Sequence, residues 1–225
     1  TVANIVDKNA TAVTSNVLET LATTNADAIN ANTLTSLADK NANAITSDAL
    51  SSIAANNADA IDDKVVSSVL AKKPEAITSD SLSAIAQNSS GALNSDVVSS
   101  ILEKQPTAIT SDSLTAIASN SSDALSSDVV AQVVASNPSA ITSDSLSAIA
   151  KGNGDALTGD ILKQVAEKNP DAITSDSLAV VAANNAGALD SDTLANIAKT
   201  NPDAVDAKVL ATVASQDASV LTPDL

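Results

Sequence analysis

The chain reads as all-α: an α-solenoid of short helices, in which 16-residue units pair into 32-residue helical hairpins stacked as a rod or superhelix. Three features of the sequence predict this. One sixteen-residue pattern recurs along the whole length, aligned on the alanines at 12, 28, 44, 60, 76, 92, 108, 124, 140, 156, 172, 188 and 204. Within each unit the large aliphatic residues lie three and four apart, the spacing of one stripe of an α-helix, with no strand-like alternation. Prolines at 74, 106, 138, 170 and 202 return every thirty-two residues, so alternate units differ. A fixed period of this kind marks a repeat architecture, here one continuous array over 1–225, with thirteen full units over 12–219 and partial units at 1–11 and 220–225.

Counting the aligned alanine as position 1, each element of the unit has a physical reason. Position 2 is Ile, Leu or Val, position 7 is Leu or Val, position 10 is mostly Ile or Val and position 11 mostly Ala. Position 3 is Thr or Ser in many units, as in Thr78, Thr110, Thr142 and Thr174, whose hydroxyls can accept from the N–H groups of a first helical turn. The tail "LTPDL" repeats this with Thr222 and puts Pro223 in the first helical slot, where it is best tolerated. Position 5 is Asp in most units, among them Asp48, Asp80, Asp112, Asp144 and Asp176, which places an anion at the positive end of the helix. The unit then closes on Asn, Gly, Ser or Pro.

The two classes of unit differ at position 6. Units carrying Pro add an aliphatic there, giving Val65, Val66, Val69 and Leu70, or Val129, Val130, Val133 and Val134. The others have Ala49, Ser81, Ser113, Ser145 or Ser177. The wider apolar face predicts the more buried helix, and the Ser-bearing face a solvated side. No single unit is stable alone, because burying three large aliphatics does not offset the ordering of sixteen backbones. The fold must come from stacking, with small Ala at positions 1 and 11 allowing close approach.

Composition narrows the function classes. There is no Cys, Met, His, Phe, Tyr, Trp or Arg, and thirteen residue types build the chain. Val, Ile and Leu make up 55 of 225 residues, enough to escape the range below ~20% in which charged chains stay disordered. A net charge of −16 without Arg repels phosphate backbones and acidic membrane surfaces, so nucleic acid is not an expected partner. The longest apolar run, around 179 to 183, falls far short of the roughly 20 residues that span a bilayer, so no membrane insertion is expected. A chain without oxidisable Cys or Met suits life outside cells.

Candidate chemistry is sparse. Catalysis would have to come from Ser with Lys or from paired Asp, yet every such residue has repeat-related copies, and no enzyme is expected. The loops "NNADAIDD" (56 to 63) and "GNGDALTGD" (152 to 160) gather the residue types of a calcium site. They lack the ligand spacing of an EF-hand, and turn and cap chemistry accounts for them, so the expectation is no cofactor. Thr14, Thr46, Thr78, Thr110, Thr142 and Thr174 recur every thirty-two residues as a ladder. This ladder resembles the flat Thr faces of ice-binding proteins and is the candidate binding surface for a glycan, a peptide or ice.

The segment "ITSDSLTAIASN" at 109 to 120 resembles the first helix and variable loop of TAL-effector DNA-binding repeats, over about a dozen residues of each unit. The resemblance implies a two-helix repeat and a right-handed superhelix. That family carries a basic residue just after the loop to meet phosphate, where this chain has Asp123, Asp155 and neutral residues, so DNA reading is not carried over. Thr1 and Leu225 both fall inside a unit, which points to an array continued in a longer polypeptide or by contact with another copy. The expected role is structural: an extracellular or cell-surface spacer, stalk or filament subunit associating with copies of itself through terminal repeats. The alternative is a binding module, such as an adhesin or ice-binding protein, using the Ser/Thr-rich face.

Overall fold

A computed structural model describes residues 2–221, all of whose regular structure is helical. The Thr222 cap and Pro223 expected in the tail lie outside the described residues. Contacts divide the chain into two compact units, Thr1–Ile109 and Thr110–Leu225, through both of which the sixteen-residue period runs. The first contains α1 (Val2–Asn9), α2 (Ser15–Thr24), α3 (Ala31–Asn41), α4 (Ser47–Asn56), α5 (Asp63–Lys72), α6 (Ser79–Asn88) and α7 (Ser95–Lys104). The second contains α8 (Ser111–Asn120), α9 (Ser127–Ser136), α10 (Ser143–Asn153), α11 (Gly159–Lys168), α12 (Ser175–Asn184), α13 (Ser191–Thr200) and α14 (Ala207–Gln216).

Each sequence unit folds the same way. An α-helix occupies positions 4 to 13, and the N–H at position 14 closes its last turn, as Asn57 does on the Ile53 carbonyl at 2.7 Å. A second, shorter element follows that sequence periodicity does not reveal: a 3-10 helix of three residues over positions 15, 16 and 1, such as Ala58–Ala60 or Pro138–Ala140. The alternating prolines take its first position, where a missing N–H leaves no helical bond unmade. Position 2 then runs extended and buried, as with Ile77 and Ile141, and position 3 caps the next α-helix. Thr78, Thr110, Thr142 and Thr174 are N-caps as the sequence predicts.

Stacking follows the thirty-two-residue period. Each α-helix packs most closely against a helix two along in sequence, so the chain forms coils of two α-helices each. In the first unit the rows are α1, α3, α5, α7 and α2, α4, α6; in the second, α8, α10, α12, α14 and α9, α11, α13. The core is the aliphatic content of both rows, with Leu34, Ile53, Val69, Leu82 and Ile101 in one unit and Leu114, Val133, Ile149, Leu162 and Val181 in the other all buried.

One expectation is overturned. The Ser-bearing helices do not turn position 6 to solvent: Ser81, Ser113, Ser145 and Ser177 are each 0% exposed, as buried as Val65 and Val129 in the alternate class. The reason is a capping box. Ser145 Oγ accepts from the Thr142 N–H at 2.8 Å and donates to the Ala140 carbonyl at 3.0 Å, so its hydroxyl needs no water. Ser81 and Ser177 do the same on Thr78 and Ala76, and on Thr174 and Ala172. Burying a polar group is costly only when it is unpaired, and here each is paired twice.

The coils approach most closely at small residues. A Cβ placed on Gly152 of α10 would sit 2.0 Å from the carbonyl oxygen of Ala118 in α8, whereas one on Gly91 would meet nothing within 4 Å. Gly152→Ala is therefore expected to destabilise the chain by about 1–3 kcal/mol through forced separation of coils. Gly91→Ala is expected to be neutral or stabilising by up to about 1 kcal/mol, through the unfolded chain alone. Urea denaturation of the two variants checks this.

Candidate functional site

The most distinctive chemistry of the fold is a ladder of side-chain amides that ties many of the coils to the one before. Position 14 is Asn in most units. In the first unit Asn41 Nδ2 donates to the Ala10 and Val13 carbonyls, both at 3.1 Å, and Asn57 Nδ2 to those of Ala26 and Ile29, both at 2.8 Å. In the second, Asn169 reaches Pro138 at 3.2 Å and Ile141 at 2.7 Å, Asn185 reaches Gly154 and Leu157, and Asn201 reaches Pro170 and Ile173. The acceptors are always 31 and 28 residues back, one at the start of the preceding coil's 3-10 helix and one just past its end.

The backbone does not demand Asn at this joint. Lys73 and Gln105 stand at position 14 with φ, ψ of −151°, 68° and −143°, 60°, beside −149°, 74° for Asn57. What Asn adds is one planar NH₂ with two donors at the right reach for two carbonyls. Ser89, with a single hydroxyl, makes only one lateral bond, to Ala58 at 3.0 Å. Beside it lies an open groove of about 370 Å³ lined by Ala58, Asp59, Ile61, Asp62, Asn88 and Gly91 among others.

The ladder of threonines predicted from sequence is present, and its hydroxyls are committed inward. Thr14 is exposed, while Thr46, Thr78, Thr110, Thr142 and Thr174 are half-buried. Each accepts from an N–H of its own helix: Val17, Ala49, Ser81, Ser113, Ser145 and Ser177 respectively. Several also bond the adjacent coil, with Ser47 Oγ at 2.6 Å from Thr78 Oγ1, Ser111 at 2.6 Å from Thr142 and Ser143 at 2.9 Å from Thr174. The second row of lateral bonds thus runs through the caps.

Charged groups add a third, weaker set. Lys40 lies 2.8 Å from Asp7, Lys72 3.4 Å from Asp39 and Lys208 2.5 Å from Asp176, each pair bridging stacked coils at exposed positions where screening leaves little net energy. The aspartates at position 5 are exposed, and among the described residues no three acidic side chains converge as a metal site. In the Asn- and Asp-rich loops, Asn57 belongs to the amide ladder, Asp62 caps α5 by accepting from Val65, and Thr158 caps α11. No helix among the described residues is long and apolar enough to cross a membrane. Comparison with family models, with curated proteins and with solved structures found no match.

Two predictions come from these bonds. Asn169→Ala should cost about 1–2 kcal/mol, since two half-buried carbonyls lose their lateral donor. Asn184→Ala, which removes only a bond to Val180 within its own exposed turn, should cost less than about 0.5 kcal/mol. Chemical denaturation distinguishes them.

The second concerns pH. The neighbouring Thr193 hydroxyl, and then the Thr193 N–H that donates to Asp190 at 2.7 Å, hold that carboxyl below its ordinary value of 3.8. Ser175 from the adjacent coil, and then the Val209 N–H, do the same for Asp206. A depressed native pKa stabilises the fold above the unfolded value and loses that contribution as pH falls through the native one. Lowering the pH from about 5 to below 3.8 should therefore weaken the wild type more than an Asp190→Asn, Asp206→Asn double variant, which keeps its caps as Asn30 and Asn94 do. Urea midpoints across that window measure the difference.

Proposed function

We propose that this chain is a structural solenoid: an extracellular or cell-surface spacer, stalk or filament subunit that associates with copies of itself end to end. The observation that carries this reading is the lateral interface itself. Most coils present the same amide donors and paired carbonyls, and several the same cap-to-cap hydroxyl bonds, so much of the polar chemistry of the repeat is spent on holding coil to coil. Such a design supplies length, and its interface is one that a further identical coil can meet.

The remaining features are consistent with that role. Net charge of −16, displayed largely by exposed aspartates, keeps the flanks of such stacks apart and soluble. A chain without Cys or Met offers no thiol or thioether to oxidation outside cells. Sedimentation velocity over a hundredfold concentration range, with electron microscopy of the same samples, tests the reading. Elongated oligomers that grow with concentration are expected. Monomers alone at every concentration would remove self-association.

A further inference from the structure

The two faces of a coil are different, and the exposures of the first and last helices tell them apart. Inside the stacks, positions 6, 7, 10 and 11 are all buried, as with Ala49, Leu50, Ile53 and Ala54 in α4. In α1 and α2, which have no coil before them among the described residues, Ile5 at position 10 is 46% exposed and Val17 at position 6 is 40% exposed. Their positions 7 and 11 are covered where α2 supplies Leu18 and Ala22. In α14 the pattern inverts: Val209 and Val213 at positions 6 and 10 are buried, while Leu210 at position 7 is half-exposed and Ala214 at position 11 exposed; in α13 Thr193, Leu194 and Ile197 are all buried and Ala198 at position 11 is half-exposed. Positions 6 and 10 therefore face the preceding coil, and positions 7 and 11 the following one.

The amide ladder has the same polarity. Asn9 stands at position 14 of the first coil, where its Oδ1 accepts from Thr11 and its Nδ2 has no acceptor among the described residues. The carbonyls of Pro202 and Val205, in the register that Pro170 and Ile173 use for Asn201, receive no lateral amide from the described residues. One end of the chain thus offers apolar positions 6 and 10 with an amide donor. The other offers position 11, and on α14 also position 7, with the paired carbonyls.

We infer that the α1–α2 face of one copy docks on the α13–α14 face of a second, reproducing the coil-to-coil interface found within each unit. This rests on the self-association reading above and names its surface. A second copy is the occupant because the two faces are the separated halves of one interface, matched in apolar position and in hydrogen-bond register. The contact is heterologous, so each added copy leaves both faces available and the assembly stays open-ended. It places Lys8 where Asp is met by Lys40 and Lys72 inside the stack, opposite Lys199, so added salt should favour it.

The absence of cysteine makes the test direct. Single variants Asn9→Cys and Pro202→Cys are mixed and oxidised, and Ile5→Asp and Val17→Asp are followed by sedimentation with circular dichroism as a control on folding. The expected result is mixed disulfide dimers in preference to either homodimer, and self-association weakened at least roughly tenfold by the Asp variants with their helicity intact. Oligomers that form equally well in the Asp variants, or homodimeric disulfides only, would overturn this contact while leaving self-association standing. A wild-type chain that stays monomeric would overturn both.

Discussion

A helix of ten residues joined to a 3-10 turn has too few internal bonds to hold itself, so everything in this fold depends on the contact between one coil and the next. That contact has an apolar part, the four-position stripe, and a directional part, the Asn amide reaching carbonyls 31 and 28 residues back. The apolar part is tolerant of sliding. The amide is not, because its two donors meet two acceptors at one register only, and so it sets where each coil sits on its predecessor.

The cap rows reinforce this register by the same economy. A Thr at position 3 closes the first turn of its own helix and, through Ser47, Ser111 or Ser143, bonds the coil beside it. A Ser at position 6 closes the capping box and bonds the position 1 carbonyl, which lets a polar residue occupy a site as dry as that of Val130. Apolar and polar solutions alternate at position 6 because each satisfies its own surroundings: Val or Ile where the cap is Asp62, Asn94, Ser126 or Thr158, and Ser where the cap is Thr78, Thr110, Thr142 or Thr174.

These commitments bear on function. The cap hydroxyls and the Asn amides are turned toward the next coil, and the charge left outside is predominantly negative and exposed. Within each unit the described flanks repeat from coil to coil, and the first and last helices differ from the interior ones in what they expose. That contrast is why the proposed role is one of extension and the proposed contact lies at the end helices, where Ile5 and Val17 are exposed while their counterparts inside the stacks are buried.

Much of this was legible in the residues themselves. The repeat, a short helix beginning after position 3, the Thr caps and the stripe of Ile, Leu and Val follow from spacing and cap chemistry, which are local and therefore visible in sequence. The amide ladder was not, although its signal, Asn at 41, 57, 153, 169, 185 and 201, stood in plain view. An Asn at a helix end reads as a turn residue, and only the stacking shows that its partners lie 28 and 31 residues away. The burial of Ser81, Ser145 and Ser177 was misread for the same reason. Hydropathy weighs a hydroxyl against water, whereas the tertiary structure supplies the N–H and the carbonyl that replace water. Sequence alone determined which elements form, since their bonds close within a few residues; the fold decided which coil each helix touches and where each polar group goes, since those bonds close across a full coil.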